Sequence, residues 1–394
     1  MSLSAQPGTA ALTDAPAPAA AGAQGLLEIL PSGSGFLRSS INGYQAADGD
    51  TFVSQGLIRR FGLRTGDRIE GTIGTPPGRG KSPPLDSVVT VNGLDPAHAR
   101  SRADFQSLPA TYPDERLTLE CATAARLRGR RDFTTRIIDL IAPLGKGQRA
   151  LIVAPAKAGK TTVLQAIMEG VATNYPEALL MVLLVDERPE EVTEMEMLGR
   201  GEVIASSFDC PAERHVAVAE MVLEHARRQV ESGRDVVIVL DSLTRLARAY
   251  NTSERGTGRM LSGGIDSGAL EKPKRFFGSA RKVRGGTGSL TIIATALIDT
   301  GSRGDEVIFE EFKGTGNSEI VLDRDLADRR IYPAINVEKS STRREDLILP
   351  PESLDKVHQL RRALHSLPPP EALELLLKQM NDTKTNAELL GKLR

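Results

Sequence analysis

Residues 154–161 read Ala154-Pro155-Ala156-Lys157-Ala158-Gly159-Lys160-Thr161. The apolar run Ala150-Leu151-Ile152-Val153 precedes them, and an amphipathic run over 163–171 follows. Strand, tight loop, helix is the setting a phosphate-binding loop requires. Backbone N–H groups of such a loop and the exposed donors at the helix N-terminus converge on a polyphosphate. In that geometry Lys160 reaches the β- and γ-phosphates and the Thr161 hydroxyl holds Mg²⁺. Ala154 replaces the first glycine of the generic pattern, so the loop is a variant and its neighbours must decide the family.

Downstream, apolar runs at 179–185, 202–206, 236–240 and 290–297 alternate with helical patterns at 161–174, 189–198, 213–230 and 243–250. Near-continuous apolar strands between amphipathic helices predict an α/β domain, a parallel sheet covered on both faces. Two of these strands end in acid. Asp186-Glu187-Arg188 closes one, and Asp241-Ser242 closes another. Ligands sit at the C-terminal ends of strands in such sheets. Glu187 is therefore placed to orient or deprotonate an attacking water, and Asp241 to hold Mg²⁺ opposite the loop threonine. Singly, each carboxylate is more often a helix N-cap than a catalyst; together with the phosphate loop on one sheet edge, the balance turns to catalysis.

The chain has 394 residues, room for two or three domains, with 50 Lys plus Arg against 51 Asp plus Glu. Its balance announces no polyanionic partner, so any nucleic-acid affinity has to come from local clustering. One cluster stands out: 251–290 carries eight basic and three acidic residues in a Gly-rich stretch that reads as a long functional loop. Two cysteines, Cys121 and Cys210, make neither a disulfide framework nor a metal cage and suit a reducing cytoplasm. No apolar run reaches the ~18 residues of a membrane span.

Residues 1–24 are Ala, Pro, Gly, Ser and Thr with little to bury, and are expected to be a disordered tail rather than a secretory signal. From 25 to 110, five short apolar runs separated by turn residues predict a small OB-like barrel. Phe36 with Arg38, Phe52, and Arg59-Arg60 before Phe61 could stack and neutralise single-stranded nucleic acid. Phe52 and Phe61 could equally be barrel core. With ten basic and twelve acidic residues in 1–120, composition leaves that choice open. A polar connector spans 111–136, its end marked by Arg126, Arg128, Arg130 and Arg131, and the α/β domain runs from 137 to the C-terminus, closed by helices near 360–367 and 372–380.

Taken together, APAKAGKT at 154–161, DERPEEVTEM at 186–195, LDSLTRLARAYN at 240–251, KPKRFFG at 272–278 and IIATALIDTGSRGDEVIFEEFKGTG at 293–316 resemble the bacterial Rho transcription termination factors. The resemblance runs from about residue 26 nearly to the C-terminus. It implies a RecA-like P-loop ATPase domain behind an OB or cold-shock-like barrel, in a homohexamer that hydrolyses ATP with Mg²⁺ and translocates 5′ to 3′ along single-stranded RNA. RNA polymerase and an accessory elongation factor are the partners it implies. Carried over by residue, Gly145, Lys146, Gly147, Gln148, Arg149 and Ala150 line the nucleotide. So do Lys157, Ala158, Gly159, Lys160, Thr161 and Thr162, with Arg188 beside it. Tyr332 packs on adenine, and Arg343 is the arginine finger reaching the neighbouring subunit. Channel contacts to RNA correspond to Leu261, Ser262, Gly263 and Gly264, and to Ser302 and Arg303 within 301–304. The primary RNA site corresponds to Gly33, Ser34, Gly35, Phe36, Leu37 and Arg38 with Asp50, Thr51 and Phe52. Here the chain departs from the pattern: Ser34 stands where the family has a phenylalanine, an aromatic near Leu85 is absent, and the usual N-terminal helical subdomain is not seen. Weaker primary RNA loading beside a complete motor is expected. A rotary-ATPase-like subunit, or a ring that binds RNA and ATP with weak turnover, are the rival readings.

Overall fold

The computed structural model describes residues 22–76, 78, 82–121, 133–253, 260–286 and 288–393. Strands β1 (Gly22–Ile29), β2 (Gly35–Arg38), β3 (Thr51–Val53), β4 (Arg68–Ile73) and β5 (Leu85–Val91) pair antiparallel in the order β3-β2-β1-β4-β5. Phe52 bridges Pro84, and its N–H donates to the Pro83 carbonyl at 2.8 Å, joining the sheet's two outer strands. Closure of this kind removes the free edges of a small sheet. Leu27, Leu37, Val53, Ile69, Leu85 and Val91 fill the interior. Helix α1 (Gln55–Phe61) starts where the Ser54 hydroxyl accepts from Leu57 N and stops at Gly62, left-handed at φ 63°. Helix α2 (Pro96–Ser101) follows β5. The barrel's first strand begins at Gly22, three residues before the expected barrel start at 25; residues 1–21 lie outside the described ones.

The second unit contains β6 (Ala110–Thr111), β7 (Arg116–Leu117), α3 (Thr134–Ile141), β8 (Leu144–Gly145), β9 (Arg149–Pro155), α4 (Lys160–Asn174), β10 (Leu179–Glu187), α5 (Pro189–Met197), β11 (Glu202–Ser207) and α6 (Ala212–Glu231). It continues through β12 (Asp235–Asp241), α7 (Leu243–Ser253), α8 (Glu271–Gly278), β13 (Arg281–Val283), β14 (Ser289–Ile298), α9 (Arg303–Lys313), β15 (Ser318–Val321) and α10 (Arg324–Asp328). Last come β16 (Ser341–Thr342), α11 (Pro351–His365), α12 (Pro369–Asn381) and α13 (Asn386–Lys392). The parallel strands run β11-β10-β12-β14-β9-β15, with β16, β13 and β6 added antiparallel. Alternate residues of each strand face two separate cores. Ala150, Ile152 and Ala154 join Val182, Leu184 and the helices α3, α4 and α11 to α13, whereas Leu151 and Val153 join Met181, Leu183 and α6 to α9.

Two expectations change. The connector is not a free linker, because β6 pairs with β13 and β7 with β8, so its first half belongs to the α/β unit. Arg126, Arg128, Arg130 and Arg131 lie outside the described residues. The basic stretch 251–290 is not one loop either: it contains α8 and β13, and three of its lysines have acidic partners elsewhere in the chain. Lys274 pairs with Glu311, Lys282 with Glu115 at 2.5 Å, and Lys272 with Glu220 at 3.4 Å; Arg255 and Arg259 are not described.

The barrel is docked on α6. Gly66, at φ 89°, approaches that helix so closely that a Cβ would lie 2.6 Å from the His225 nitrogen. The His225 Nδ1–H donates to the Gly66 carbonyl at 2.8 Å, and Tyr44 donates to Glu202. Replacing Gly66 by alanine is expected to cost about 1–3 kcal/mol, since the new atom has only backbone to push against and the dihedral is unfavourable. Chemical unfolding of Gly66→Ala beside the parent chain measures this; equal midpoints would refute the tight docking.

Candidate ATPase site and RNA-binding faces

The phosphate loop forms as its sequence requires. β9 ends at Pro155, Lys157 and Gly159 take left-handed conformations at φ 65° and 87°, and α4 begins at Lys160. Lys160 Nζ donates to Asp241 Oδ1 at 2.6 Å and to Glu187 Oε1 at 3.0 Å. Both carboxylates are 1 % exposed. Glu187 reaches the interior because the β10–β11 register shifts between Val185 and Glu187, with Asp186 at φ 56°. That irregularity leaves Asp186 half-buried and turns the next side chain towards the loop.

Two neighbours escaped the sequence reading. The Thr295 hydroxyl donates to Asp241 Oδ1 at 2.7 Å, and the Arg245 guanidinium stands 3.6 Å from Glu187 Oε2. That Oε2 is buried and has no hydrogen-bond partner. A threonine inside the apolar run of β14 was the available signal for the first; for Arg245, one of several arginines on α7, there was none.

Burial, followed by the Asp241 charge, raises the Glu187 carboxyl above its ordinary value, and Lys160 acts against them. Burial disfavours the Lys160 ammonium, but Asp241 and Glu187 outweigh it and its pKa rises. One buried cation between two buried acids is a set of charges awaiting a polyphosphate and its metal. The donor types fit Mg²⁺ with ATP: the Thr161 hydroxyl in the first helical turn, the Asp241 carboxylate bonded to the preceding Lys160, and an unsatisfied Glu187 oxygen for a water.

Ala158 is buried, Thr161 half-buried, and Lys157, Thr162 and Arg188 are exposed along the same strand ends. Tyr332, 47 % exposed, lies over the loop, its ring 3.9 Å from where a Gly159 Cβ would be. The other proposed lining residues are elsewhere. Gly145, Lys146, Gly147, Gln148, Arg149 and Ala150 sit at the start of β9, roughly 20 Å of strand from the loop. Gln148 Nε2 there donates to Asn317 Oδ1 at 2.7 Å, and Lys146 pairs with Asp235 at 2.8 Å. Arg343 belongs to this far end: its N–H donates to the Asn317 carbonyl at 2.9 Å while its side chain is exposed. Within one chain, then, the structure does not bring 145–150 or Arg343 to Lys160.

The channel residues do meet. Gly263, at φ 75°, packs so that a Cβ would lie 2.7 Å from the Gly304 Cα, which seats 261–264 against the start of α9. Ser302 caps α9, and Arg303 is exposed. On the barrel, Phe36 and Phe52 are cross-strand neighbours with ring centroids 5.7 Å apart; both are half-exposed and outside the barrel core, whereas Phe61 packs against it. Ser34 and Gly33 precede them at the turn, while Gly35, Leu37 and Thr51 are buried. Arg38 differs from its expected role. It is buried, donates to Asp50 at 2.5 Å and to Glu28 at 2.6 Å, and lies 5.0 Å from the Phe36 ring, so it braces the ring rather than offering a free cation.

Residues 23–97 match the Rho termination factor RNA-binding domain, and residues 134–342 match the nucleotide-binding domain of the ATP synthase alpha/beta family. The transcription termination factor Rho of Cereibacter sphaeroides is 54 % identical over 372 residues, 94 % of this chain and 87 % of that protein. The chain belongs to the Rho family. Rho of Chromobacterium violaceum is 53 % identical, over 94 % of this chain and 88 % of its own length. Rho of Gemmatimonas aurantiaca is 59 % identical over 91 % of this chain, which spans about half of that longer protein, 48 %. Among solved structures, a prototypical type III secretion ATPase of pathogenic bacteria superposes with TM-score 0.52 at 25 % identity, covering 61 % of this chain and 70 % of that one. EscN of enteropathogenic E. coli shares the fold at 24 % identity with TM-score 0.53, covering 68 % of this chain and 61 % of that one. The Rho barrel together with the near-full-length Rho relatives separates the chain from a rotary-type subunit, and its family and domain make it an ATP-hydrolysing enzyme.

Glu187→Gln is expected to lower kcat by about 10²–10⁴, the usual worth of a general base. The carboxylate is the active form and its pKa is raised, so kcat/KM for ATP falls as the pH drops, with a midpoint above the ordinary 4.5. A pH profile flat to 4.5 would remove Glu187 from this role.

Proposed function

We propose that the chain is an RNA-dependent ATPase and 5′-to-3′ RNA translocase that works as a cytoplasmic homohexamer and terminates transcription by releasing nascent RNA from RNA polymerase. One observation carries the reading. The acid–lysine cluster lies at one end of the strands and Arg343, exposed, at the other, so a complete site needs two copies placed head to tail. A nucleotide on one subunit's loop then meets the neighbour's Arg343, Arg149 and 145–148.

In that seam Lys160 leaves its two acids for the phosphates. Thr161 and Asp241 would hold Mg²⁺, whose chemistry there would be neutralisation of phosphate charge. Glu187, freed from Lys160, orients water, with Arg245 limiting the ways its carboxylate can turn. Arg343 stabilises the transition-state charge in trans, a contribution worth roughly 10³–10⁵ in rate. Arg303 and the 261–264 segment face the RNA threaded through the ring. No helix among the described residues is long and apolar enough to cross a membrane.

Hydrolysis is expected to rise severalfold or more with poly-pyrimidine RNA and to fall about 10³-fold in Arg343→Ala. Mixing Arg343→Ala with Lys160→Ala chains should restore part of it, since some seams then hold an intact pair; no recovery on mixing argues for a site within one chain. RNA-independent hydrolysis would favour the ring with altered turnover.

Ser34 stands at the turn two residues before Phe36, and its hydroxyl meets the Ser32 hydroxyl at 2.9 Å. Ser34→Phe should therefore extend the Phe36–Phe52 surface and tighten single-stranded RNA binding by about 1–3 kcal/mol. An unchanged titration would show that the missing ring is not what limits loading.

A further inference from the structure

The chain leaves the barrel through Arg102, which Asp67 holds at 2.5 and 2.6 Å and Glu231 of α6 at 3.3 Å. Phe105 follows, fully buried with the Arg281 guanidinium 4.5 Å from its ring. Arg284 N donates to the Pro109 carbonyl at 2.9 Å, and β6 pairs with β13. Each step fastens this segment to the α/β unit. The next residue, Tyr112, is 59 % exposed, and the Arg344 guanidinium lies 5.4 Å from its ring centroid.

Arg344 is itself unusual. Its backbone is left-handed at φ 57°, a conformation a residue with a long side chain keeps only when its surroundings impose it. Its carbonyl accepts from Leu347 N at 3.1 Å, and its side chain meets the Tyr112 ring and Asp346, 3.1 Å from Arg344 Nε. Arg343 immediately precedes this turn, and its own N–H is fixed on Asn317. The finger's direction is therefore set by a pinned residue on one side and a stacked arginine on the other. The same Tyr112 rims a cavity of about 250 Å³ lined by Pro113, Gly147, Arg149 and Asn317.

We propose that Tyr112 is a positioning residue for Arg343. By holding Arg344 it fixes the turn that aims the finger, and by its place in the chain it ties that turn to the segment descending from the RNA-binding barrel. The inference rests on the reading of Arg343 as a finger acting in trans.

The test compares RNA-stimulated ATP hydrolysis of Tyr112→Ala, Tyr112→Phe, Arg343→Ala and Tyr112→Ala with Arg343→Ala, alongside hexamer formation and RNA binding for each. Tyr112→Ala should lower kcat about 10- to 100-fold, as a misplaced catalytic group does, at unchanged KM for ATP and unchanged RNA affinity. Tyr112→Phe, which keeps the ring face, should restore most of it. In the Arg343→Ala background, Tyr112→Ala should cost nothing further, because there is no finger left to aim. Should Tyr112→Ala disturb assembly, Arg344→Gln removes the cation from the ring instead and should show the same pattern. An equal loss in both backgrounds, or no loss where Arg343→Ala alone is crippled, overturns the proposal. If Arg343→Ala leaves kcat intact, the finger reading itself has failed.

Discussion

Lys160 is held between two buried carboxylates, and much of the α/β unit exists to keep that arrangement in place. Two acids 1 % exposed beside one ammonium leave an excess negative charge in the interior, which is costly unless further groups share it. Thr295 donates to one acid and Arg245 stands near the other, yet Glu187 Oε2 still has no hydrogen bond. An arrangement this incompletely satisfied is poor as a structural element and well suited to a site that substrate completes. Three strands supply it, β10, β12 and β14, and the loop after β9 supplies the lysine, so the parallel order of the sheet is what makes the cluster possible.

The strands and helices that build this centre could be read from residue pattern because each is a continuous apolar run or an amphipathic one ended by a turn. Those that could not be read lack such a pattern. β15 is four residues alternating Ser318, Glu319, Ile320 and Val321 at the margin of the sheet, and α13 is a short helix after a polar Asn-Asp-Thr-Lys turn. The acids of the site were legible as charges ending apolar strands. Arg245 was not, since its role depends on α7 folding back beside β10, a long-range contact that spacing does not encode. Distance misled in the other direction at 145–150: adjacency in sequence to the phosphate loop suggests proximity, but an extended strand carries its two ends apart at about 3.3 Å per residue.

The barrel shows how side chains of the right type can be committed elsewhere. Arg38 beside Phe36 has the composition of a base-stacking site, and the ring is indeed presented on the surface. Its guanidinium is nevertheless engaged by Asp50 and Glu28, so it adds rigidity to the Phe36–Phe52 pair more than charge for a phosphate. The basic stretch at 251–290 behaves alike, with Lys274 and Lys282 paired to Glu311 and Glu115 across the surface. A count of charges overstates what is available to a polyanion wherever acids lie across the fold rather than along the chain.

The separation of Arg343 from Lys160 gives these local features a common consequence. A strand cannot bend its two ends together, so no rearrangement within the sheet unites the finger with its own loop. On the function proposed above the site is completed between copies, and the state of one copy can then govern the site of the next. For such control to be useful, the far end of the sheet needs a physical connection to whatever senses the ligand. The segment from Arg102 through Phe105 and β6 to Tyr112 is bonded to the α/β unit along its length and starts at the barrel's own buried Asp67. A stiff, well-anchored path transmits displacement where a flexible linker would absorb it.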